Sequence, residues 1–275
     1  MKKFIILSLL LVLGGAVGAF AQNGGQPPSP DDQLLGQMDY ERFGAYFDLS
    51  QNSPSSSFTV DVTAQRVSGT FTATVQVSFK LIKGNFYGRI DYLAPSDLAQ
   101  QVFIITPEGI FFWKPDLAET GAIRVPGSYE VFGDATVAEV VGIGFRGDYK
   151  IGKRDDNVTL TDHPGKTYIR LSLEPAHDGV AFPYATVVAE AITNGDKTTY
   201  LPYTLELFGV DHKDDSDALH FNTFEEYGDL NGTPFFKTQN LHNLITPENY
   251  TRLSVSNILH EEIPDAKFDP AQLGK

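Results

Sequence analysis

The stretch FKLIKGNFYGRIDYLAPSDLAQQVFIITPEGIFFWKP, residues 79–115, decides the fold. It is rich in Phe, Ile, Tyr and Val, which suit the pleated, half-buried surface of a sheet. Turn-forming residues interrupt it at Gly84-Asn85, at 94–97 and at Pro107-Glu108-Gly109. The stretch therefore predicts four consecutive antiparallel strand passes, and a meander is their simplest arrangement.

Apolar residues alternate with polar ones at 58–63 and 71–80, and the alternation continues through residues 86–92. Alternation with a period of two residues predicts strands with one apolar face and one solvent-exposed face. Between Val102 and Trp113 both faces are apolar, so the pattern assigns no direction there. Further strands are predicted at 168–173, 184–191, 199–208, 218–227, 233–242 and 249–259, for about eleven to thirteen strand passes in all.

Two helices are predicted, one before the first strand and one between strand groups. The first spans residues 32–48, with Asp31 or Asp32 as the N-cap and a wide apolar arc. Its pattern fits a helix packed permanently on a sheet and a movable lid equally well. The second begins at Asp134 and places Val137, Val140 and Val141 on one side.

The first residues predict export. Lys2-Lys3, an apolar run from Phe4 to Leu13 and the small-residue boundary at 19–21 form a secretory signal peptide, with cleavage after Ala21. We therefore expect residues 1–21 to be a signal peptide, 22–56 a flexible leader with the N-terminal helix, and 57–275 one domain. The chain has no Cys, which excludes disulfides and lipidation of an N-terminal Cys, and a periplasmic, unanchored protein is expected.

The charge balance argues against nucleic acid as a partner. The formal net charge is −14, and it becomes more negative when Lys2 and Lys3 are removed. Such a surface repels nucleic acid and anionic lipid headgroups at long range.

No pattern indicates catalysis. The six His residues are scattered, and none pairs with another at metal-ligand spacing. The HKDDSD run at 212–217 lacks the Gly and Glu of a calcium loop. A Gly-x-Ser-x-Gly elbow is missing, and the adjacent carboxylates Glu225-Glu226 and Glu261-Glu262 would point to opposite faces of a strand. We expect no enzymatic activity, no metal and no cofactor.

Aromatic residues are abundant, with 20 Phe, 12 Tyr and one Trp. In a two-sheet sandwich they would fill the core. In a strongly curved, incompletely closed sheet they would line an apolar cavity instead. Composition and periodicity leave both arrangements open.

The chain resembles the outer-membrane lipoprotein-sorting protein family of LolA-like periplasmic carriers. The resemblance rests on Phe86-x-x-Arg89-x-x-Tyr92-x-x-Pro95, on Glu108-Gly109 followed by 111–115, on the helix start at 132–139 and on the closing run 263–270. It implies a mainly β fold, a strongly curved antiparallel half-barrel of about eleven strands, in which short helices cover a concave apolar face that binds lipoprotein acyl chains. Where the proteobacterial carriers have a basic Arg-Pro pair, this sequence has Gly84-Asn85.

The resemblance implies a carrier of acylated ligands that sorts lipoproteins to the outer membrane, with an inner-membrane release complex and an outer-membrane acceptor as further partners. The alternative is a half-barrel sensor or interaction protein that binds a protein partner. By strand phase, the acyl-binding side chains are predicted to be Val75, Val77, Phe86, Ile90, Tyr92, Leu205, Leu207 and Phe221. The opposite phase is expected to face solvent, and it holds Gln76, Ser78, Lys80, Arg89, Asp91 and Glu206.

Overall fold

The computed structural model describes residues 55–274, apart from 67, 118–120, 134, 138, 140–147 and 231–232. The predicted signal peptide, the helix predicted at 32–48 and most of the leader lie outside the described residues. So do Asp134 and residues 140–144 of the second predicted helix. Of its described residues, Ala135–Thr136 form a short strand instead of helix, and Val137 and Glu139 are helical.

Fifteen strands and four short 3₁₀ helices make up the described chain. The 3₁₀ helices are Pro115–Leu117, Asp215–Asp217, Asp265–Phe268 and Pro270–Gln272. The strands are β1 (Ser55–Arg66), β2 (Gly69–Ile82), β3 (Asn85–Ala94), β4 (Val102–Thr106), β5 (Gly109–Trp113), β6 (Ile123–Val125), β7 (Glu130–Phe132), β8 (Ala135–Thr136), β9 (Tyr149–Val158), β10 (Tyr168–Pro175), β11 (Tyr184–Asn194), β12 (Lys197–Phe208), β13 (Ala218–Leu230), β14 (Thr233–Asn243) and β15 (Tyr250–His260).

Thirteen of these strands form one open antiparallel sheet in the order β6-β5-β4-β3-β2-β1-β15-β14-β13-β12-β11-β10-β9. Every pairing joins strands that follow one another in the chain, except β1 with β15. The predicted meander from β2 to β5 is confirmed, and so is the mainly β, half-barrel class. The sheet has thirteen strands where the family resemblance implied about eleven.

The path of the chain explains how one face is covered. β6 and β9 lie at opposite edges of the sheet, so the residues between them must cross from edge to edge. We call residues 126–148 the crossover, and it carries the separate two-stranded hairpin β7–β8. We call the face on which the crossover lies the inner face, the end of the sheet at the β1–β2 turn the upper end, and the opposite end the lower end.

Apolar side chains occupy the inner face in two clusters. One is built on β1 to β5 with β14 and β15, and the other on β9 to β14. Register connects them strand by strand, because directly paired residues of antiparallel strands point to the same face. Within the first cluster, Val60 pairs with Val75 and Val75 with Tyr92. Leu241 of the same cluster pairs with Asn222, which pairs with Leu205 of the second cluster.

The outer face of β1 to β5 is covered by residues 261–274, which we call the C-terminal segment. Its side chains Ile263 and Phe268 are buried, and the 3₁₀ helix Asp265–Phe268 packs on β3 and β4. The close approach of Gly274 to the indole of Trp113 extends this cover to β5. Ile104 is therefore buried on the outer face while its neighbour Phe103 is buried on the inner one. This double cover explains why alternation fails in the sequence of β4.

Three side chains expected to face solvent are engaged by the C-terminal segment instead. The predicted face is correct for each, but the predicted exposure is wrong. Ser78 is buried and accepts a bond from Lys267. Arg89 pairs with Asp91 and donates to the Lys267 carbonyl at 2.8 Å. Lys80, with only 15% of its side chain exposed, forms ion pairs with carboxylates of the segment.

Candidate functional site

The inner face brings together seven of the eight side chains predicted to bind an acyl chain. Val75, Val77, Ile90 and Tyr92 are buried in the N-terminal cluster, and Phe86 packs against it while staying partly exposed. The remaining two, Leu205 and Leu207, are buried in the C-terminal cluster. Their common location agrees with the predicted strand phase, and their role in binding stays a prediction.

Phe221 is the exception, because the structure places it on the outer face. It pairs with Glu206, whereas Leu205 pairs with Asn222 and Leu207 with His220. Its ring lies beside His242, with ring centroids 6.4 Å apart. The expectation that Phe221 points inward is therefore wrong. The inner positions of this part of β13 hold the polar residues His220 and Asn222, which the sequence analysis missed.

The crossover is fastened to the upper half of the inner face. Tyr92 donates its hydroxyl hydrogen to the Val131 carbonyl. Burial raises the pKa of Tyr92, so the phenol stays neutral and keeps this donor. Tyr129 packs its ring near those of Phe103 and Phe112, at centroid distances of 5.8 and 6.0 Å. Backbone and aromatic contacts therefore hold β7–β8 on the sheet.

Gly133 lets the hairpin approach the sheet closely. Its φ is +59°, in the region that favours glycine. A Cβ at this position would lie 2.6 Å from the Cβ of Ala64 and would also meet Thr251. The Gly133 carbonyl accepts a hydrogen bond from Arg66. Only glycine fits this contact without moving the hairpin.

A polar cluster fastens the crossover to the C-terminal half of the sheet. Glu139 accepts bonds from His220 Nδ1 at 3.1 Å and Asn222 Nδ2 at 3.0 Å, and from the backbone and hydroxyl of Thr136 at 3.0 and 2.9 Å. Only 3% of the Glu139 side chain is exposed. Burial alone would raise the pKa of Glu139. The hydrogen bond and charge of His220, together with the hydrogen bonds from Thr136 and Asn222, outweigh burial and hold that pKa below its usual value. The carboxylate is thus ionised and paired inside the protein.

The loop between β10 and β11 adds to the cover at the upper end. Phe182 is buried in the C-terminal cluster, and its ring centroid lies 5.0 Å from that of His220. Its carbonyl accepts a bond from the Tyr149 hydroxyl at 2.5 Å. The polar cluster therefore has an aromatic neighbour on the crossover side of the sheet.

Toward the lower end the cover is less complete. A bulge at Asn257, whose φ is +50°, turns Ile258 to the inner face. The apolar side chains that stay partly exposed around the lower end are Phe86, Val255, Ile258, Tyr200 and Tyr227. By contrast, Val75, Val77 and Ile90 have no exposed surface. We call these five side chains the lower band, and they are more accessible to solvent than the fully buried centre of the inner face.

The described residues contain no group of three or more acidic, His or Cys side chains arranged to hold a metal. Within the same part of the chain, no helix is long and apolar enough to cross a bilayer. The described inner face is mainly apolar, with a buried polar cluster around Glu139.

Three solved structures share the fold at low sequence identity. A LolA superfamily protein from Nitrosomonas europaea aligns with a TM-score of 0.67 and 15% identity, over 84% of this chain and 97% of that one. An outer membrane lipoprotein-sorting protein domain from Vibrio parahaemolyticus aligns with a TM-score of 0.66 and 14% identity, over 89% of this chain and 99% of that one. A DUF1329 family protein from Desulfovibrio piger aligns with a TM-score of 0.66 and 15% identity, over 86% of this chain and 98% of that one.

The chain therefore has the LolA-like fold. No protein-family model matches the sequence, and no curated protein is significantly similar to it. At these identities the likeness shows the fold and leaves the ligand to be argued from the inner face itself.

Proposed function

We propose that this protein is a periplasmic, non-enzymatic carrier that holds acyl chains on the inner face of its sheet, and that it serves the sorting of lipoproteins to the outer membrane. One observation carries the proposal: in the part of the chain that the structure describes, a broad apolar face is covered by a crossing segment with a two-stranded hairpin and by a loop, not by a second large sheet. Such a cover can be displaced without breaking any ladder of the large sheet. The shared LolA-like fold supports the same function.

The energetics suit reversible binding. Burying one methylene contributes about 0.8 kcal/mol, so a fully enclosed 16-carbon chain gains roughly 12 kcal/mol. Association and ordering cost roughly 4–15 kcal/mol, and displacing the crossover adds to that cost. The net affinity is therefore moderate, which allows a carrier to release its ligand.

The partly exposed lower band is the place to test this proposal. Val255 lies on the inner face of a central strand, and the next residue, Ser256, lies on the outer face with similar partial exposure. In Val255→Glu an acyl chain would have to bury an unpaired carboxylate. We expect this variant to lose saturable binding of a fluorescent fatty acid, while Ser256→Glu keeps it.

Circular dichroism of both variants checks the fold before the titration. Val255 is a better position than Ile90, because Ile90 is fully buried and a charge there would also oppose folding. If wild type shows no saturable binding, or if folded Val255→Glu binds like wild type, the inner face is not an acyl site.

The lipoprotein-sorting part of the proposal needs a separate measurement. Native mass spectrometry of the protein purified from its own cell envelope should show a bound lipoprotein or lipid. A stoichiometric protein partner with no lipid would instead support the sensor or interaction role.

A further inference from the structure

One buried polar atom on the inner face has no hydrogen-bond partner. Asn222 is 2% exposed, and its Nδ2 donates to Glu139. Its Oδ1 has no partner among the described residues. Leaving such an acceptor unsatisfied costs about 1–3 kcal/mol, so an unpaired atom of this kind calls for an explanation.

The surroundings of Asn222 are those of a ligand subsite. Its register partners are Leu205 on β12 and Leu241 on β14, and both are buried apolar residues of the inner face. The hydrogen bond from Asn222 Nδ2 to the Glu139 carboxylate orients the side-chain amide, so Oδ1 is the amide atom without a partner among the described residues. Apolar walls with one fixed acceptor match a molecule that has an apolar chain and a hydrogen-bond donor beside it.

We propose that Asn222 Oδ1 accepts a hydrogen bond from a donor that adjoins the acyl chain of the ligand, either an amide N–H or a hydroxyl. This inference rests on the proposed function and specifies its ligand. Acyl ligands with such a donor bind more tightly than simple esters, which have none.

Matched ligands test the proposal with the unaltered mature protein. N-methylhexadecanamide has one N–H, and N,N-dimethylhexadecanamide has none. Methyl 3-hydroxyhexadecanoate and methyl hexadecanoate differ in the same way by a hydroxyl, so the two pairs separate the two kinds of donor. Each is titrated as a competitor against a bound fluorescent fatty acid.

We expect at least one donor-bearing ligand to compete about threefold to tenfold better than its donor-free match, the equivalent of one net hydrogen bond. In Asn222→Leu the advantage should disappear. Thr223→Val, which changes the next residue on the outer face, should keep it.

The outcomes separate this inference from the proposed function. If the fluorescent fatty acid binds but neither pair shows a difference, the subsite is wrong and acyl binding stands. An advantage that persists in folded Asn222→Leu also overturns the subsite. Should the fatty acid itself fail to bind, both proposals fall. The wild-type comparison decides the matter even if Asn222→Leu does not fold.

Discussion

Replacing Phe268 by Ala tests whether the C-terminal segment is part of the core. Phe268 is 1% exposed, and its ring lies edge-on to Tyr87 with centroids 6.4 Å apart. Burying a Phe side chain contributes about 1.5–3 kcal/mol, and the cavity left by truncation adds to the loss. Phe-to-Ala changes in cores therefore cost about 3–5 kcal/mol, against a typical total stability of about 5–15 kcal/mol.

The position of Phe268 near the chain end sets an upper limit on this loss. The C-terminal segment can leave the outer face while the sheet stays folded, so Phe268→Ala cannot cost more than the free energy with which the whole segment docks. A chain that ends at Glu262 measures that limit. We expect the truncation to lose at least as much stability as Phe268→Ala, because it also removes Asp265, an ion-pair partner of Lys80.

Urea denaturation of wild type, Phe268→Ala, the truncated chain and the control Gln272→Ala provides the comparison. Gln272 is an exposed residue of the same segment, so its change should stay within about 0.5 kcal/mol. A loss below about 1 kcal/mol for Phe268→Ala would show that the segment is not part of the core. A truncated chain more stable than Phe268→Ala would refute the docking limit.

Three further predictions concern the crossover. Tyr92→Phe removes the donor to the Val131 carbonyl. We expect the free energy of unfolding, measured by urea denaturation, to fall by about 1–2 kcal/mol and hydrogen exchange in β7–β8 to become faster. Unchanged exchange would contradict this prediction. Gly133→Ala should lower Tm more than Gly84→Ala, because both have positive φ but a Cβ at Gly84 meets open space; equal shifts would rule out the close packing. Glu139→Gln should have a smaller free energy of unfolding than wild type near neutral pH. Because the pKa of Glu139 is lowered in the folded protein, wild type loses this extra stability as the pH falls through that pKa, and the difference between the two proteins should narrow in acid below the usual Glu range. A difference in urea denaturation that does not depend on pH would exclude an ionised Glu139.

Local sequence patterns were enough to predict strands β1 to β5, but not β6 or the β7–β8 hairpin. Alternation assigned Val75, Val77 and Ile90 to the inner face because one-residue steps along a strand change face. The pairing of β1 with β15 could not be predicted in this way, since its partners are separated by most of the chain and no turn joins them. The burial of Lys80 and Ser78 was missed for a related reason: the residues that cover them come from the far C-terminal end.

The candidate site shows where the apolar pattern misleads. Phe221 was assigned inward by strand phase, but the register of β12 with β13 turns it outward. Its neighbours His220 and Asn222 occupy the inner face, because Glu139 of the crossover satisfies them there. A buried polar network depends on a partner distant in sequence, so a single strand gives no indication of it.

The connection between the two halves of the sheet also explains why a carrier could use this topology. β6 and β9 lie at opposite edges, so the crossover must lie over one face, and it buries that face without adding a strand to the large sheet. Its described contacts with the sheet are separate from the strand ladders: the Tyr92 and Arg66 hydrogen bonds and the Tyr129 ring contacts on one half, and the Glu139 cluster on the other. The strand ladders stay intact if these contacts release. In the proposed carrier, the free energy for admitting a ligand is therefore set by the crossover contacts and not by the stability of the sheet.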